Sequence, residues 1–259
     1  MVNKLDLTGI ILAGGKSTRL SFNKIKLSYY GIPLFIIQAI RLSYFCSEIL
    51  IVVSSENKFY IQKELSNLVN CKKILILEDE KIEGINLYSS IGPIMGLYTG
   101  LKHASNIYSF VLAFDMPFIE YKFLNFLVDK LKLQLNYAKI KNIKKVKSHK
   151  EICKVKEQQF NIPFDAMIVK TLKGFEVLSG IYSKNCLSAI YENIILNNFK
   201  ISEIFNKIEI KIIYQKELEE NGIDLMNFFN INNYEDLKRY KNFCLNYKIG
   251  CENFDGKIK

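Results

Sequence analysis

Apolar and polar positions come in blocks along the first half of the chain, and the blocks switch period as they go. Leu7–Leu12, Ile49–Ser54, Lys73–Leu77 and Tyr108–Phe114 are short, nearly unbroken runs of Ile, Leu, Val and Phe. Such runs read as strands buried on both faces. Between them, Pro33–Phe45, Lys58–Val69 and Ile94–Ala104 repeat their apolar residues every three or four positions, and Tyr121–Leu135 does so after the fourth run. These are predicted helices, the first with proline at its start, where a missing N–H costs nothing. Strands alternating with helices make repeated βαβ units. The expected fold is therefore α/β and Rossmann-like: a doubly wound, mostly parallel sheet as the middle of three layers, α/β/α. Further on, Phe164–Val169 and Gly174–Tyr182 read as strands around a Lys173-Gly174 turn. Ser183–Leu196 reads as a helix, Ile208–Tyr214 as a strand and Asn233–Tyr247 as a final helix. With no internal repeat and no Pro/Gly/Ser-rich linker, residues 1–259 read as one domain.

In sheets of this kind ligands bind beyond the carboxyl ends of the strands. That rule gathers the Gly14-Gly15 turn, Ser54–Asn57, Asp79 and Asp115 along one edge. The turn is the richest of them: Leu12-Ala13-Gly14-Gly15-Lys16-Ser17-Thr18-Arg19, followed by Lys24. A glycine pair lets the backbone approach a ligand and aim N–H groups at it, and Lys16, Arg19 and Lys24 add fixed positive charge. Together they form an anion site suited to a nucleoside triphosphate. The turn is not a Walker A loop, because that motif would put its first glycine at Ile10. Asp115 ends the run Phe110–Phe114 and precedes Met116-Pro117. A carboxylate at a buried strand tip suits Mg²⁺, which bridges one or two carboxylates to substrate phosphates. A helix cap just before Pro117 is the competing role. Between these anchors, Gly92-Pro93-Ile94-Met95-Gly96 opens a helix where backbone could come close to a base or ribose.

The net charge of +10 is concentrated: ten lysines and one acid, Glu151, lie between Lys130 and Lys156. Outside that segment the chain is close to neutral, and few aromatics are present within it to stack bases, so a nucleic-acid partner is not expected. Residues at about 132–160 read as a solvated basic insertion, with an anionic docking partner as the functional alternative. Six scattered cysteines form no C-x-x-C pair, and the two histidines form no ligand cluster. No window offers the roughly 18 apolar residues of a membrane span, and the opening residues carry no apolar leader. A cytoplasmic protein with no membrane partner is expected.

The L-A-G-G-K-S-T-R turn, Lys24, G-I-P-L at 31–34, G-P-I-M-G at 92–96 and F-D-M-P-F at 114–118 occur in one order. So do Leu178–Tyr182 running into Ser183–Leu187, and the stretch from Phe228 through Asn230, Asn232 and Asp236 to Leu237. Taken together they resemble the molybdenum cofactor guanylyltransferase family over most of residues 7–240, and so imply its nucleotidyltransferase fold. The resemblance implies transfer of GMP from GTP to the phosphate of molybdopterin, with release of pyrophosphate. It implies that Leu12, Ala13, Gly14, Lys24 and Asp79 contact the nucleotide, that Asp115 holds Mg²⁺, and that Asn230 and Asn232 sit near the reacting phosphates. Gly15, Lys16 and Ser54 join the expected binding set, and Arg19, Lys24 and Asp115 are the expected catalytic residues. Molybdoenzymes or cofactor-delivery proteins are the implied protein partners.

The chain departs from that family's pattern at Leu20-Ser21, where Met-Gly is usual, at Asn23, where Asp is usual, and at Ser54, where an asparagine is expected. These departures bear on the nucleotide more than on the reaction. Use of CTP or of another phosphorylated acceptor is the first rival reading. A non-catalytic carrier of the pterin cofactor is the second, and a nucleic-acid binder acting through residues 130–156 the third.

Overall fold

The structure, a computed structural model, describes residues 6–14, 23–66, 74–82, 91–148 and 162–246. Its elements are β1 (Leu7–Leu12), β2 (Ser28–Tyr29), β3 (Ile32–Pro33), α1 (Leu34–Ser43), β4 (Glu48–Val53), α2 (Ser55–Ser66), β5 (Ile74–Glu78), α3 (Pro93–His103), β6 (Tyr108–Ala113) and α4 (Tyr121–Ser148). They continue with β7 (Ala166–Thr171), β8 (Gly174–Phe175), β9 (Ser179–Ser183), α5 (Cys186–Ile195), β10 (Ile210–Tyr214), α6 (Gln215–Glu220) and α7 (Tyr234–Asn246).

The main sheet has the order β10-β7-β9-β6-β1-β4-β5, with β8 paired to β7. The pairs β1–β4, β1–β6, β4–β5 and β7–β10 are parallel, while β9 runs antiparallel to both β6 and β7. The sheet is thus mostly parallel, and its side chains alternate between two cores. Leu7 and Ile11 of β1 join Ile49, Ile51 and Val53 of β4 under α1, α2 and α4. Ile10 and Leu12, with Leu50 and Val52, face α3 and α5 on the other side. Period-2 alternation between two apolar faces is the reason these strands read as continuous runs. A smaller cluster of Leu27, Leu34, Ile37, Ile231, Leu237 and Tyr240 ties the β2–β3 hairpin and α1 to α7.

Three expectations need adjustment. The run at Gly174–Tyr182 is two strands, because the chain turns at Glu176: its N–H reaches the Val169 carbonyl at 2.9 Å, and Ser179 N–H reaches the Glu176 carbonyl at 3.2 Å. The helix expected over Tyr121–Leu135 continues to Ser148. Between 121 and 148 the sequence has neither Gly nor Pro and is rich in Lys and Leu, so nothing stops it. The first half of the basic segment is therefore helical, and 149–161 lies outside the described residues. Asp115 caps no helix, since α4 begins six residues later at Tyr121.

Candidate active site

The sheet's hydrogen-bond ladder runs one residue past the strand ends and so fixes the loops that leave them. Ala13 N–H donates to the Val52 carbonyl at 2.8 Å, Phe114 N–H to Leu12 at 3.2 Å, and Asp79 N–H to Val53 at 3.3 Å. Gly14, Ser54, Asp79 and Asp115 therefore follow four strand tips on one edge. Leu12 and Ala13 bury their side chains, which leaves main chain to meet a ligand there. Asp79 lies close against two glycines. A Cβ on Gly14 would stand 3.5 Å from Asp79 Oδ2, and one on Gly96 would stand 3.6 Å from Oδ1 and 3.1 Å from Leu12 Cδ2. Backbone without side chains on both flanks leaves the carboxylate half-buried, with no hydrogen-bond donor among the described residues. Desolvation pushes its pKa up to about 6. Gly92, with φ of 77°, makes the turn into α3 that a side chain would resist, and Pro93 takes the first helical position.

The second half of the site joins residues far apart in the chain. Lys24 Nζ donates to Asp115 Oδ2 at 2.6 Å and to Asn232 Oδ1 at 3.3 Å. Both members of the ion pair are largely buried, with side chains 16% and 13% exposed. Asn23 precedes Lys24 and accepts from Ile25 N–H at 3.2 Å, which caps the short 3-10 turn Lys24–Lys26. On the far side, Ile231 N–H donates to the Asp115 carbonyl at 3.1 Å, which seats the Asn230–Asn232 segment against Asp115. Asn230 turns its amide back to the Phe228 carbonyl at 3.4 Å. Asn232 is held through its own N–H, which donates to Asp236 Oδ2 at 2.9 Å; Asn233 N–H donates to the same oxygen at 3.2 Å, and Asp236 N–H returns a bond to Asn233 Oδ1 at 2.9 Å. That reciprocal cap starts α7.

The structure thus brings Lys24, Asp115 and Asn232 together, and Gly14, Ser54 and Asp79 together beside them. Gly15, Lys16 and Arg19 lie outside the described residues. Three further residues shape the cleft: two that the sequence reading does not single out, and Asn57, which it places on the ligand edge only as the end of the segment Ser54–Asn57. Gln38 and Arg41 of α1 donate to the carbonyls of Met116 and Pro117, the Arg41 bond at 3.0 Å, and so grip the turn that follows Asp115. Burial draws the Arg41 guanidinium below its ordinary pKa, against opposing pulls from Tyr121 and Glu120. The third is Asn57, buried in the first turn of α2, which donates to Ser54 Oγ at 3.2 Å and accepts from Asn23 Nδ2 at 2.5 Å. A signal existed for the first two: a glutamine and an arginine three apart on an otherwise apolar helix.

The donor set suits a divalent ion shared with a substrate. Asp115 already holds a cation, the Lys24 ammonium, and the described residues contain no cluster of three or more His, Cys, Asp or Glu. One carboxylate completed by phosphates is the arrangement Mg²⁺ takes with nucleotide substrates, whereas an all-protein cage is not.

Beyond the strand tips of a mostly parallel sheet stand Gly14, Asp79 and the Lys24–Asp115 pair, and the comparisons give this arrangement its class: the protein is a nucleotidyltransferase. The family follows from comparison of the whole sequence. The MobA-like NTP transferase domain matches residues 9–193, and the chain belongs to that family. A probable molybdenum cofactor guanylyltransferase of Natranaerobius thermophilus is 26% identical over 238 residues, covering 92% of this chain and 96% of that protein. Another, from Clostridium perfringens strain 13, is 26% identical over 245 residues, covering 89% and 96%. The fold is shared with molybdopterin-guanine dinucleotide biosynthesis protein A from Archaeoglobus fulgidus: TM-score 0.64, 22% identity, 93% of this chain and 100% of that one. It is also shared with a 4-diphosphocytidyl-2C-methyl-D-erythritol synthase from Anaerococcus prevotii: TM-score 0.59, 12% identity, 94% and 98%. No helix among the described residues is long and apolar enough to cross a membrane.

Proposed function

We infer that this nucleotidyltransferase transfers GMP from GTP to the terminal phosphate of molybdopterin, giving the guanine dinucleotide form of the cofactor and pyrophosphate. The observation that carries the reading is the contact of Lys24 with Asp115 and Asn232 beyond the tip of β6. The names of the relatives and the ordered motifs supply the substrates. The whole chain is read as one catalytic domain bearing a basic insertion, working in the cytoplasm.

The chemistry asks little of the protein in proton transfer. An oxygen of the acceptor phosphate, already an anion at neutral pH, attacks the α-phosphorus of GTP. The bond from the α-phosphorus to the bridging oxygen breaks, and pyrophosphate leaves with that electron pair. The barrier lies in bringing two anions together and in holding the charge that builds on the α-phosphate and the leaving group, a task for positioning and electrostatics. Main chain at Leu12–Gly14 and the Gly15 turn cradles the triphosphate. Lys24, with Lys16 and Arg19, offsets its charge. Asn230 and Asn232 orient the reacting phosphates, and Ser54 and Asp79 face the nucleoside. Asp115 would hold Mg²⁺, which when bound supplies Lewis-acid neutralisation of phosphate charge.

The test uses purified protein with Mg²⁺, each nucleoside triphosphate in turn, and molybdopterin, scored by pyrophosphate release. GTP should support turnover, Lys24→Ala should lower kcat, and Asp115→Ala should abolish the Mg²⁺-dependent reaction. Preference for CTP would replace the nucleotide, and tight pterin binding without pyrophosphate would replace the reaction with a carrier role.

A further inference from the structure

Asn57 is a buried amide, 5% exposed, whose two ends point to two separate parts of the cleft. Its Nδ2 donates to Ser54 Oγ at 3.2 Å, at the tip of β4. Its Oδ1 accepts from Asn23 Nδ2 at 2.5 Å, and Asn23 is the residue that caps the turn carrying Lys24. A backbone bond from Asn57 N–H to the Ser54 carbonyl at 3.0 Å fixes the amide at the start of α2. Lys24 is consequently held from both sides of β1. Its ammonium reaches Asp115 on the β6 side, while its turn is moored to α2 on the β4 side.

We propose that Asn57 is a positioning residue: through Asn23 it sets where Lys24 stands against the reacting phosphates, and through Ser54 it sets the opposite wall of the same mouth. This rests on the role given to Lys24 above. Three features favour it over a purely structural amide. The side chain sits away from solvent, where an unpaired polar group is costly, and both its partners lie in the cleft. Neither partner belongs to the hydrophobic cores, so releasing them costs the fold little. The contact is also directional, with donor at 23 and acceptor at 57, so it makes a prediction about charge. A carboxylate at either position alone can keep the contact, since Asn23 can donate to an aspartate at 57, and Asn57 can turn its amide to donate to one at 23. Carboxylates at both positions repel.

The experiment measures kcat and KM for GTP by pyrophosphate release in Asn57→Leu, Asn57→Asp, Asn23→Asp and the double variant N23D/N57D, with Lys24→Ala as reference. Misplacing a charged group by about 1 Å can cost on the order of 100-fold, so Asn57→Leu should lose roughly 10- to 100-fold in kcat with KM changed by only a few fold. Asn57→Asp and Asn23→Asp should each recover to within about fivefold of the parent, while the double variant should fall well below the product of the two single effects. Parent-like kcat in Asn57→Leu would overturn the proposal, as would an Asn57→Asp no better than Asn57→Leu, or a double variant that is merely multiplicative. Should Asn57→Leu fail to fold, the two aspartate variants and their combination decide. If Lys24→Ala loses turnover while the Asn57 series does not, Asn57 alone is misassigned. If Lys24→Ala keeps turnover, the reading of the site itself fails.

Discussion

Asp79→Asn is the substitution whose outcome the structure fixes most closely. In the folded protein Asp79 lies between Gly14 and Gly96, and desolvation raises its pKa from 3.8 to about 6. At ~1.4 kcal/mol per pH unit that difference corresponds to at most ~3 kcal/mol. Asp79 is only half-buried, so screening by water brings the figure to about 1–2 kcal/mol. The sign follows from which state holds the proton more tightly. Below about pH 4 the carboxyl is neutral in both the folded and the unfolded chain, and nothing is lost. Between about pH 4 and 6 the unfolded chain ionises first, the folded chain binds more protons, and stability falls as pH rises. Above pH 6 the ionised, desolvated carboxylate costs its full amount. Asparagine has no such dependence. At pH 8 the variant should melt higher than the parent by about 2–8 °C, at ~2–4 °C per kcal/mol for a domain of this size, and at about pH 3.5 the two should nearly coincide. Differential scanning fluorimetry of both proteins across that range reads this directly. Parallel curves for the two would refute the desolvation argument. The nucleoside contact proposed for Asp79 adds a second test: saturating GTP should raise the parent's melting temperature more than the variant's.

Three other perturbations separate the cleft from the scaffold. Arg41→Met removes the donor that grips the Pro117 carbonyl; a bond from a charged group is worth about 1.5–3 kcal/mol, and kcat should fall more than GTP affinity as the Asp115 turn loosens. Gly180→Ala puts a Cβ 2.7 Å from the Met167 carbonyl, where β7 and β9 pair, so the backbone must shift; urea unfolding should show a loss of about 1–3 kcal/mol. Glu48→Ala strips the partner of Thr8 Oγ1, Ser105 N–H and Ser105 Oγ at the strand ends opposite the cleft. It should cost about 1–3 kcal/mol for each buried group orphaned while leaving kcat near that of the parent.

What the sequence disclosed and what it withheld divide along the range of the forces involved. β1, β4 and β6 are legible because burial on both faces leaves almost no polar residue in them, a local property of six residues at a time, and β5, though only partly buried, keeps the apolar run Ile74–Leu77. The apolar period places the start of α2 three residues late, because Ser55, Glu56 and Asn57 are polar and add nothing to it. The β2–β3 hairpin leaves no sign in the pattern: its turn is Tyr30-Gly31, with both residues at positive φ, and tyrosine is not a residue that announces such a turn. At the site, the glycine turn, Lys24 and Asp115 could be proposed because each sits at the end of a recognisable strand or motif. The meeting of Lys24 with Asp115 at 2.6 Å depends on β1 and β6 being neighbours, which the rule for doubly wound sheets makes reasonable. Gln38, Arg41 and Asn57 depend on something less accessible: which carbonyl or amide an α-helical side chain reaches across the tertiary structure. Asparagine at 57 also explains part of what Asn23 and Ser54 left open. Read singly, each is a departure from the family's pattern. Read together, the two residues are the two hydrogen-bond partners of one buried amide, so a change at 23 constrains what 54 and 57 can be. Within this chain, a substitution at any one of the three should be judged by whether the other two still find a donor and an acceptor.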